Sequence, residues 1–171
     1  MGGVSIHASD PFATPDEHRS PVRRLRGRLP AAVTLWTAAG PDGDRGLTVS
    51  SVLVVDGDPG LVLGLIDDES DLWAAAERAG RFAVGLLHEE DRQLADRFAG
   101  LMPAPGGLFA TGDWQRTDWG PVPAGHAWAG CRLTGSEPKG WSLLVEGVLE
   151  HIELPEPAAP LVHERGRYRR R

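Results

Sequence analysis

Two short apolar runs joined by a turn constrain the fold of this chain more than any other feature. Residues 47–55 (LTVSSVLVV) follow a period of two, which places Leu47, Val49, Ser51 and Leu53 on one face and Thr48, Ser50 and Val52 on the other. Residues 61–66 (LVLGLI) are apolar on both faces. Alternation indicates a β-strand with one buried face, and an apolar run of this length indicates a strand covered on both sides. Residues 56–60 (DGDPG) predict a turn between them. We therefore predict two consecutive strands, the second in a central position in its sheet.

Further strand-like segments outnumber the helical ones. A short helix is predicted after Val22, and two longer helices are predicted over residues 67–80 and 88–100, each ending at a glycine. Four more strands are predicted at residues 31–40, 81–87, 126–135 and 141–154. Because most strands follow one another without a crossover helix, we predict a mainly β chain, an antiparallel barrel with two or three accessory helices.

Length and charge narrow the domain organisation and the partners. The 171 residues suit one domain, and we predict a flexible N-terminal arm at 1–20 followed by a single domain at 21–171. The net charge of −6 argues against nucleic acid as the main partner, because phosphate binding requires a basic surface. Residues 163–171 (HERGRYRRR) are the exception. They are read as a solvated terminus, a contact to nucleic acid or anionic lipid, or a source of charge for a bound phosphate.

Cysteine usage and hydropathy indicate the compartment. Cys131 is the only cysteine, so no disulfide can form within the chain. The apolar runs are far shorter than the roughly 18 residues that a membrane-spanning helix requires. Residues 1–12 also lack the order of charged and apolar residues that is typical of a signal peptide. We therefore expect a cytoplasmic protein with no membrane partner.

Most catalytic motifs are missing, and one hydroxyl-rich segment stands out. The sequence has no dinucleotide-binding G-x-G-x-x-G, no P-loop and no G-x-S-x-G, and its six histidines show no spacing typical of a metal site. Thr48, Ser50 and Ser51 lie within a predicted strand, and Ser70 can cap the following helix. Hydroxyls, backbone N–H groups and a helix N-terminus together can bind a phosphate. The alternative is that the hydroxyls only protect the edge of a half-buried strand.

Five stretches in a fixed order carry a resemblance to a known family. They are RLPAAVTLWTA, GLTVSSVLVVDGDPGLVLGLIDDES, AGRFAVGLLHEEDRQLADRFAG, GHAWAGCRL and PLVHERGRY. The second contains Gly46-Leu47-Thr48-Val49-Ser50-Ser51, which is similar to a G-x-T-[AV]-S-S segment of that family. Over residues 22–168 the chain resembles the flavin reductase-like, FMN-binding split-barrel family. The resemblance implies an antiparallel split β-barrel.

The same resemblance implies a homodimer with one flavin, FMN or FAD, in each subunit at or near the interface. It implies that Thr48, Val49, Ser50 and Ser51 line the flavin and that Ser70 reaches its phosphate. Later segments complete the implied flavin site with Gly85, Leu86, Gln93, Phe98, His163, Arg167 and Tyr168. Gly85 stands where the family usually has asparagine. No side chain is predicted as a general acid or base, and no metal ligand is predicted.

One departure from the family bears on the reaction. Members that reduce free flavin commonly carry Gly-Asp-His before the long C-terminal strand, where the histidine helps to receive NAD(P)H. This chain has Lys139-Gly140-Trp141 instead. Trp141 can stack on a nicotinamide or a flavin, but it cannot titrate as histidine does.

Three interpretations of function follow. The first is an NAD(P)H-dependent flavin reductase that supplies reduced flavin to a partner monooxygenase. The second is a barrel that binds flavin or deazaflavin without this turnover, and the third is a ligand-free dimerising barrel. The choices between FMN and FAD, and between NADH and NADPH, remain open in the sequence.

Overall fold

Twelve short strands and three helices are present in the computed structural model, which describes residues 20–169. The predicted N-terminal arm lies outside the described residues except for Ser20. The helices are α1 (Pro21–Gly27), α2 (Asp71–Ala79) and α3 (Arg92–Phe98). The strands are β1 (Ala31–Ala32), β2 (Thr34–Ala38), β3 (Arg45–Val49), β4 (Val52–Val55), β5 (Leu61–Ile66), β6 (Arg81–Leu86), β7 (Trp114–Gln115), β8 (Val122–Pro123), β9 (Trp128–Lys139), β10 (Ser142–Glu153), β11 (Val162–Glu164) and β12 (Arg167–Arg169).

Seven strands form one curled antiparallel sheet in the order β3-β2-β6-β9-β10-β5-β4. β3 and β4 are consecutive in the chain, yet they form the two opposite edges of this sheet. Two residues connect them, so the sheet must curl until its edges meet. The Leu65 N–H donates a hydrogen bond of 3.0 Å to the Ser51 carbonyl, which extends the β4–β5 pairing to this corner. The predicted mainly β, antiparallel split barrel is therefore confirmed.

Two details of the strand prediction are wrong. The run 47–55 is not one strand, because Ser50 and Ser51 belong to neither β3 nor β4 and form the corner between them. β5 is not central, since only β4 separates it from the edge. Its buried positions also alternate, with Val62, Gly64 and Ile66 facing the core. The other face of β5 is apolar because it borders a cleft.

The main core lies inside the curled sheet. Trp36 is 1% exposed and stacks on Phe82, with ring centroids 4.8 Å apart and an angle of 10° between the planes. The Trp36 indole N–H donates to the Thr34 hydroxyl over 3.1 Å. A second cluster packs α3 against the barrel through Val33, Leu35, Leu87, Ala95, Phe98 and Leu161.

Capping residues set the two ends of α2. The Ser70 hydroxyl accepts the Trp73 N–H at 3.2 Å and caps α2, which ends at Gly80 in the left-handed conformation (φ 69°). The predicted helix over 88–100 is a 3-10 turn (Glu89–Asp91) followed by α3. None of the helices within residues 20–169 is long and apolar enough to cross a membrane.

Candidate functional site

The corner between β3 and β4 opens into a cleft of about 1120 Å³. The cleft is bordered by the corner itself, by one face of β5, by α1, by the β9–β10 hairpin and by the β11–β12 hairpin. The lining residues include Arg23, Arg26, Leu29, Leu47, Thr48, Val49, Ser50, Ser51, Leu53, Leu63, Gly64, Leu65, Asp67, Lys139, Leu144 and His163. The meeting of the sheet edges therefore creates a cavity large enough for a small-molecule ligand.

Polar groups that are not used by the fold lie at the corner. Ser51 is exposed and Ser50 is partly exposed, and neither hydroxyl forms a hydrogen bond within residues 20–169. The neighbouring Thr48 hydroxyl behaves differently, because it donates to the Ala95 carbonyl of α3 over 2.6 Å. Val49 directs its side chain into the main core. The two serines therefore offer free hydroxyls to a ligand, while Thr48 and Val49 hold the corner in place.

The floor of the cleft is apolar and rests on the core. Leu63, Leu65 and Leu144 line it beside Gly64. A Cβ atom at Gly64 would lie 2.5 Å from two carbon atoms of the Trp36 ring, so only glycine permits this contact. The indole of Trp36 therefore supports the cleft from below.

His163 connects the cleft to the C-terminal hairpin. Burial lowers the pKa of His163 below its ordinary value of 6.5, and the nearby positive charge of Arg26 lowers it further. The His163 ring meets the Tyr168 ring edge-on at 5.7 Å. Burial and the neighbouring Asp96 raise the pKa of Tyr168, whose ring lies 5.6 Å from the Arg92 guanidinium carbon. At neutral pH this side of the cleft presents an uncharged imidazole.

We expect His163→Gln to reduce the sensitivity of stability to acid. A folded-state pKa below 6.5 means that the unfolded chain binds more protons as pH falls through 6.5, so the folded state loses stability until the lower folded pKa is reached. Melting temperatures measured between about pH 7 and pH 5 should therefore fall less in the variant than in the wild type. An unchanged slope would contradict this assignment.

The other sequence-predicted residues lie outside the lining of this cleft. Ser70 caps α2, and its hydroxyl also donates to the Asp67 carbonyl at 2.7 Å. Gly85 is buried in β6, where a Cβ would lie 3.3 Å from Pro123, and Phe98 is 3% exposed within the α3 cluster. The rest are at least partly exposed on β6, α3 and β12, namely Leu86, Gln93, Arg167 and Tyr168. One chain thus brings Thr48, Val49, Ser50, Ser51 and His163 together at the cleft.

The segment that replaces the family's Gly-Asp-His is the β9–β10 hairpin. Lys139 lines the cleft and pairs with Glu137 over 3.1 Å. Gly140 has a positive φ of 58°, which suits the tight turn. The Trp141 side chain is 97% exposed. A large aromatic ring therefore stands in solvent beside a cleft residue.

Sequence reasoning missed part of the cleft. Arg23 and Arg26 were read only as part of a short helix, although their spacing of three places them on one helical face. The apolar lining from β5 was assigned to core. The spacing of the two arginines could have been used, because it is visible in the sequence. The position of the β5 side chains could not, because the sequence does not distinguish an apolar residue that faces a core from one that faces a cleft.

A second cluster joins residues that are distant in sequence. His88, Asp91 and His126 bring their ligand atoms within 4.8 Å of one another. His126 Nε2 lies 2.7 Å from Asp91 Oδ2, and the two imidazole rings stack at 3.9 Å with an angle of 9°. Parallel rings direct their in-plane lone pairs along separate planes, which does not favour a shared metal ion. The cluster instead links the start of α3 to the turn before β9.

One family model, two curated relatives and one solved structure show what this chain is similar to. The model of the flavin reductase like domain matches residues 26–171. The chain is 31% identical over 150 residues to the reductase component of an FADH2-dependent resorcinol hydroxylase from Rhizobium sp., covering 85% of this chain and 83% of the relative. It is 32% identical over 175 residues to an NADH-dependent FMN reductase of Streptomyces nodosus subsp. asukaensis, covering 98% and 91%. The structure of an NADH:FAD oxidoreductase from Streptomyces globisporus superposes with a TM-score of 0.80 at 26% identity, covering 92% and 95%.

Proposed function

Because the chain belongs to the family of flavin reductase like domains, we propose that it is an NAD(P)H-dependent flavin reductase whose flavin binds in the cleft at the β3–β4 corner. The observation that carries this proposal is the pairing of free serine hydroxyls with an apolar floor in one cavity. A flavin has an aromatic ring system and an anionic phosphate, and it needs both surfaces. FMN, FAD and a reduced nicotinamide are therefore the proposed ligands.

The residues present fit such a ligand. The leucines of β5 and β10 offer apolar contact to a ring, and the hydroxyls of Ser50 and Ser51 offer hydrogen bonds to a phosphate. Three cationic residues, Arg23, Arg26 and Lys139, also line the cleft. A flavin held there would supply the hydride chemistry with the nicotinamide. The chain orients the ligands and limits the access of water.

No side chain of the cleft is assigned as a general acid or base. His163 is the only histidine among the cleft-lining residues that the structure describes, and its lowered pKa keeps it neutral at pH 7. A neutral imidazole can accept or donate a hydrogen bond at the ligand without adding charge. We therefore propose His163 as a binding residue, together with Thr48, Val49, Ser50 and Ser51.

A homodimer is part of the proposal. β4 is an edge strand whose Leu53 and Val54 are 67% and 70% exposed, and exposed apolar edges of this kind favour pairing with another chain. A second copy at this edge would add its own surface to the site. On this basis we propose that four exposed or partly exposed residues outside the cleft contact the flavin bound by the second copy. They are Leu86, Gln93, Arg167 and Tyr168. Ser70, Gly85 and Phe98 are proposed to shape the helices and strands around the flavin.

We expect Val54→Asp to give a monomer. A buried, unpaired carboxylate in an apolar interface is strongly unfavourable, whereas at an exposed edge of a monomer it has little effect on folding. Light scattering coupled to size-exclusion chromatography measures the mass directly, with Ser136→Asp on the exposed part of β9 as the control. A wild-type chain that is already monomeric would exclude the proposed dimer.

We propose that a partner monooxygenase uses the reduced flavin. One relative is by name the reductase component of a hydroxylase that depends on FADH2. A reductase that releases its product can serve a separate oxygenase, and the open cleft at the barrel corner suits release. A cytoplasmic setting is part of the proposal, because the single cysteine is a free, buried thiol.

The proposal is tested by NAD(P)H oxidation. Purified protein should oxidise NADH or NADPH, followed by the loss of the absorbance of the reduced nicotinamide, at a rate that depends on added FMN or FAD. Protein that quenches flavin fluorescence without oxidising either nicotinamide would instead support the flavin- or deazaflavin-binding barrel. Protein that binds none of these would leave the ligand-free barrel.

A further inference from the structure

We propose that Arg23 and Arg26 of α1, together with Lys139 of the β9–β10 hairpin, bind the diphosphate of an adenine dinucleotide. This inference rests on the proposed function and assigns a further part of the same cleft. The diphosphate is common to FAD and to the nicotinamide dinucleotides. The three residues are named the basic wall below.

The position of α1 gives the first argument. Arg23 and Arg26 are three positions apart, so their side chains share one face of the helix, and both line the cleft. α1 buries none of its residues. Ser20 caps its N-terminus, and at its C-terminus the Gly27 carbonyl accepts the Arg165 N–H over 2.6 Å. The core therefore does not require this helix, and its arginine face is available to a ligand.

Charge balance gives the second argument. The described lining of the cleft contains three permanent cations, those of the basic wall, and one carboxylate, Asp67. Asp67 Oδ1 already accepts the Glu69 N–H at 2.9 Å. Within residues 20–169 neither Arg23 nor Arg26 forms an ion pair, and only Lys139 is paired, with Glu137. In a chain of net charge −6 this is a local excess of positive charge.

The size of the site gives the third argument. Small-molecule pockets typically have volumes of about 300–1000 Å³, and this cleft has about 1120 Å³. The serine hydroxyls at the corner can serve the single phosphate of FMN. FAD carries one phosphate beyond that of FMN, and NAD⁺ carries two of its own. Guanidinium groups bind phosphate oxygens in a bidentate manner, so the two arginines of the basic wall suit these further phosphates.

The test compares two double variants. In Arg23→Gln/Arg26→Gln the basic wall loses two cations. In Arg24→Gln/Arg28→Gln the same net charge is removed from positions on or next to α1 that do not line the cleft. Dissociation constants for FMN and FAD are measured by fluorescence, and those for NAD⁺ by calorimetry. Both variants should fold, because no substituted side chain is buried.

We expect Arg23→Gln/Arg26→Gln to weaken the binding of FAD, of NAD⁺ or of both by at least about tenfold, because lost hydrogen bonds to charged groups have effects of this size. The affinity for FMN should change by less than about twofold. The dinucleotide whose affinity falls is the one whose phosphates the basic wall binds. Unchanged binding of both dinucleotides, equal weakening of FMN, or the same loss in the control variant would overturn the inference. Wild-type protein that binds FMN but neither dinucleotide would also overturn it while leaving flavin binding intact. If the wild type binds neither FMN nor FAD, the proposed function fails separately.

Discussion

Trp36→Ala is expected to lower the free energy of unfolding by about 3–5 kcal/mol, the usual cost of removing a large aromatic side chain from a core. Trp36 is 1% exposed, stacks on Phe82 and donates its indole N–H to Thr34. It also lies directly beneath Gly64 in the floor of the cleft. Loss of the ring should therefore weaken ligand binding as well as stability. Urea unfolding followed by circular dichroism measures the first effect.

Trp141→Ala is the matched control, because it removes the same side chain from a position that is 97% exposed. Its free energy of unfolding should change by less than about 0.5 kcal/mol, as is usual at the surface. If the two variants lost similar stability, the placement of Trp36 at the centre of the barrel would be wrong.

Ser50→Ala/Ser51→Ala is expected to weaken FMN binding by about 1.5–3 kcal/mol for each hydroxyl that contacts the phosphate, the usual range for hydrogen bonds to charged groups. These two hydroxyls line the cleft and have no hydrogen-bond partner within residues 20–169. Their loss should leave the barrel intact. Thr48 is less suitable for this test, because its hydroxyl bonds the Ala95 carbonyl and its replacement would also loosen α3. Quenching of FMN fluorescence gives the affinity.

Two controls isolate the phosphate. Riboflavin lacks the phosphate, so its affinity should be the same for the variant and the wild type. Ser136→Ala removes a hydroxyl from an exposed position of β9 outside the cleft and should leave FMN affinity unchanged. Equal weakening of riboflavin and FMN would show that the serines shape the corner rather than bind the phosphate.

Much of the fold could be predicted because local signals agreed with it. Ser70 and Gly80 bracket α2 as a cap and a left-handed terminator, and this chemistry acts within a few residues. The scarcity of crossover helices correctly indicated antiparallel pairing. The break at Ser50 and Ser51 was missed because apolar residues lie on both sides of it, so that residues 47–55 resemble one strand. Only the curling of the seven-stranded sheet requires a corner there.

The site could be predicted in part for the same reason. The hydroxyl-rich segment was visible in the sequence, and the structure places it at the cleft. Which hydroxyls are free depends on tertiary contacts, as the hydrogen bond from Thr48 to α3 shows. The cleft itself forms where α1, β5 and two hairpins pack around the corner. No pattern within one segment of the sequence predicts that these segments lie close together. The pairing of His88 with His126 likewise joins segments that are far apart in the chain.

The most direct measurement is a crystal structure of the protein with FMN. Electron density for the phosphate is expected at the Ser50–Ser51 corner, with the ring system against the apolar floor formed by Leu63 and Leu65. Flavin bound elsewhere on the barrel, with the serine hydroxyls facing only solvent, would contradict the assignment of this cleft as the flavin site.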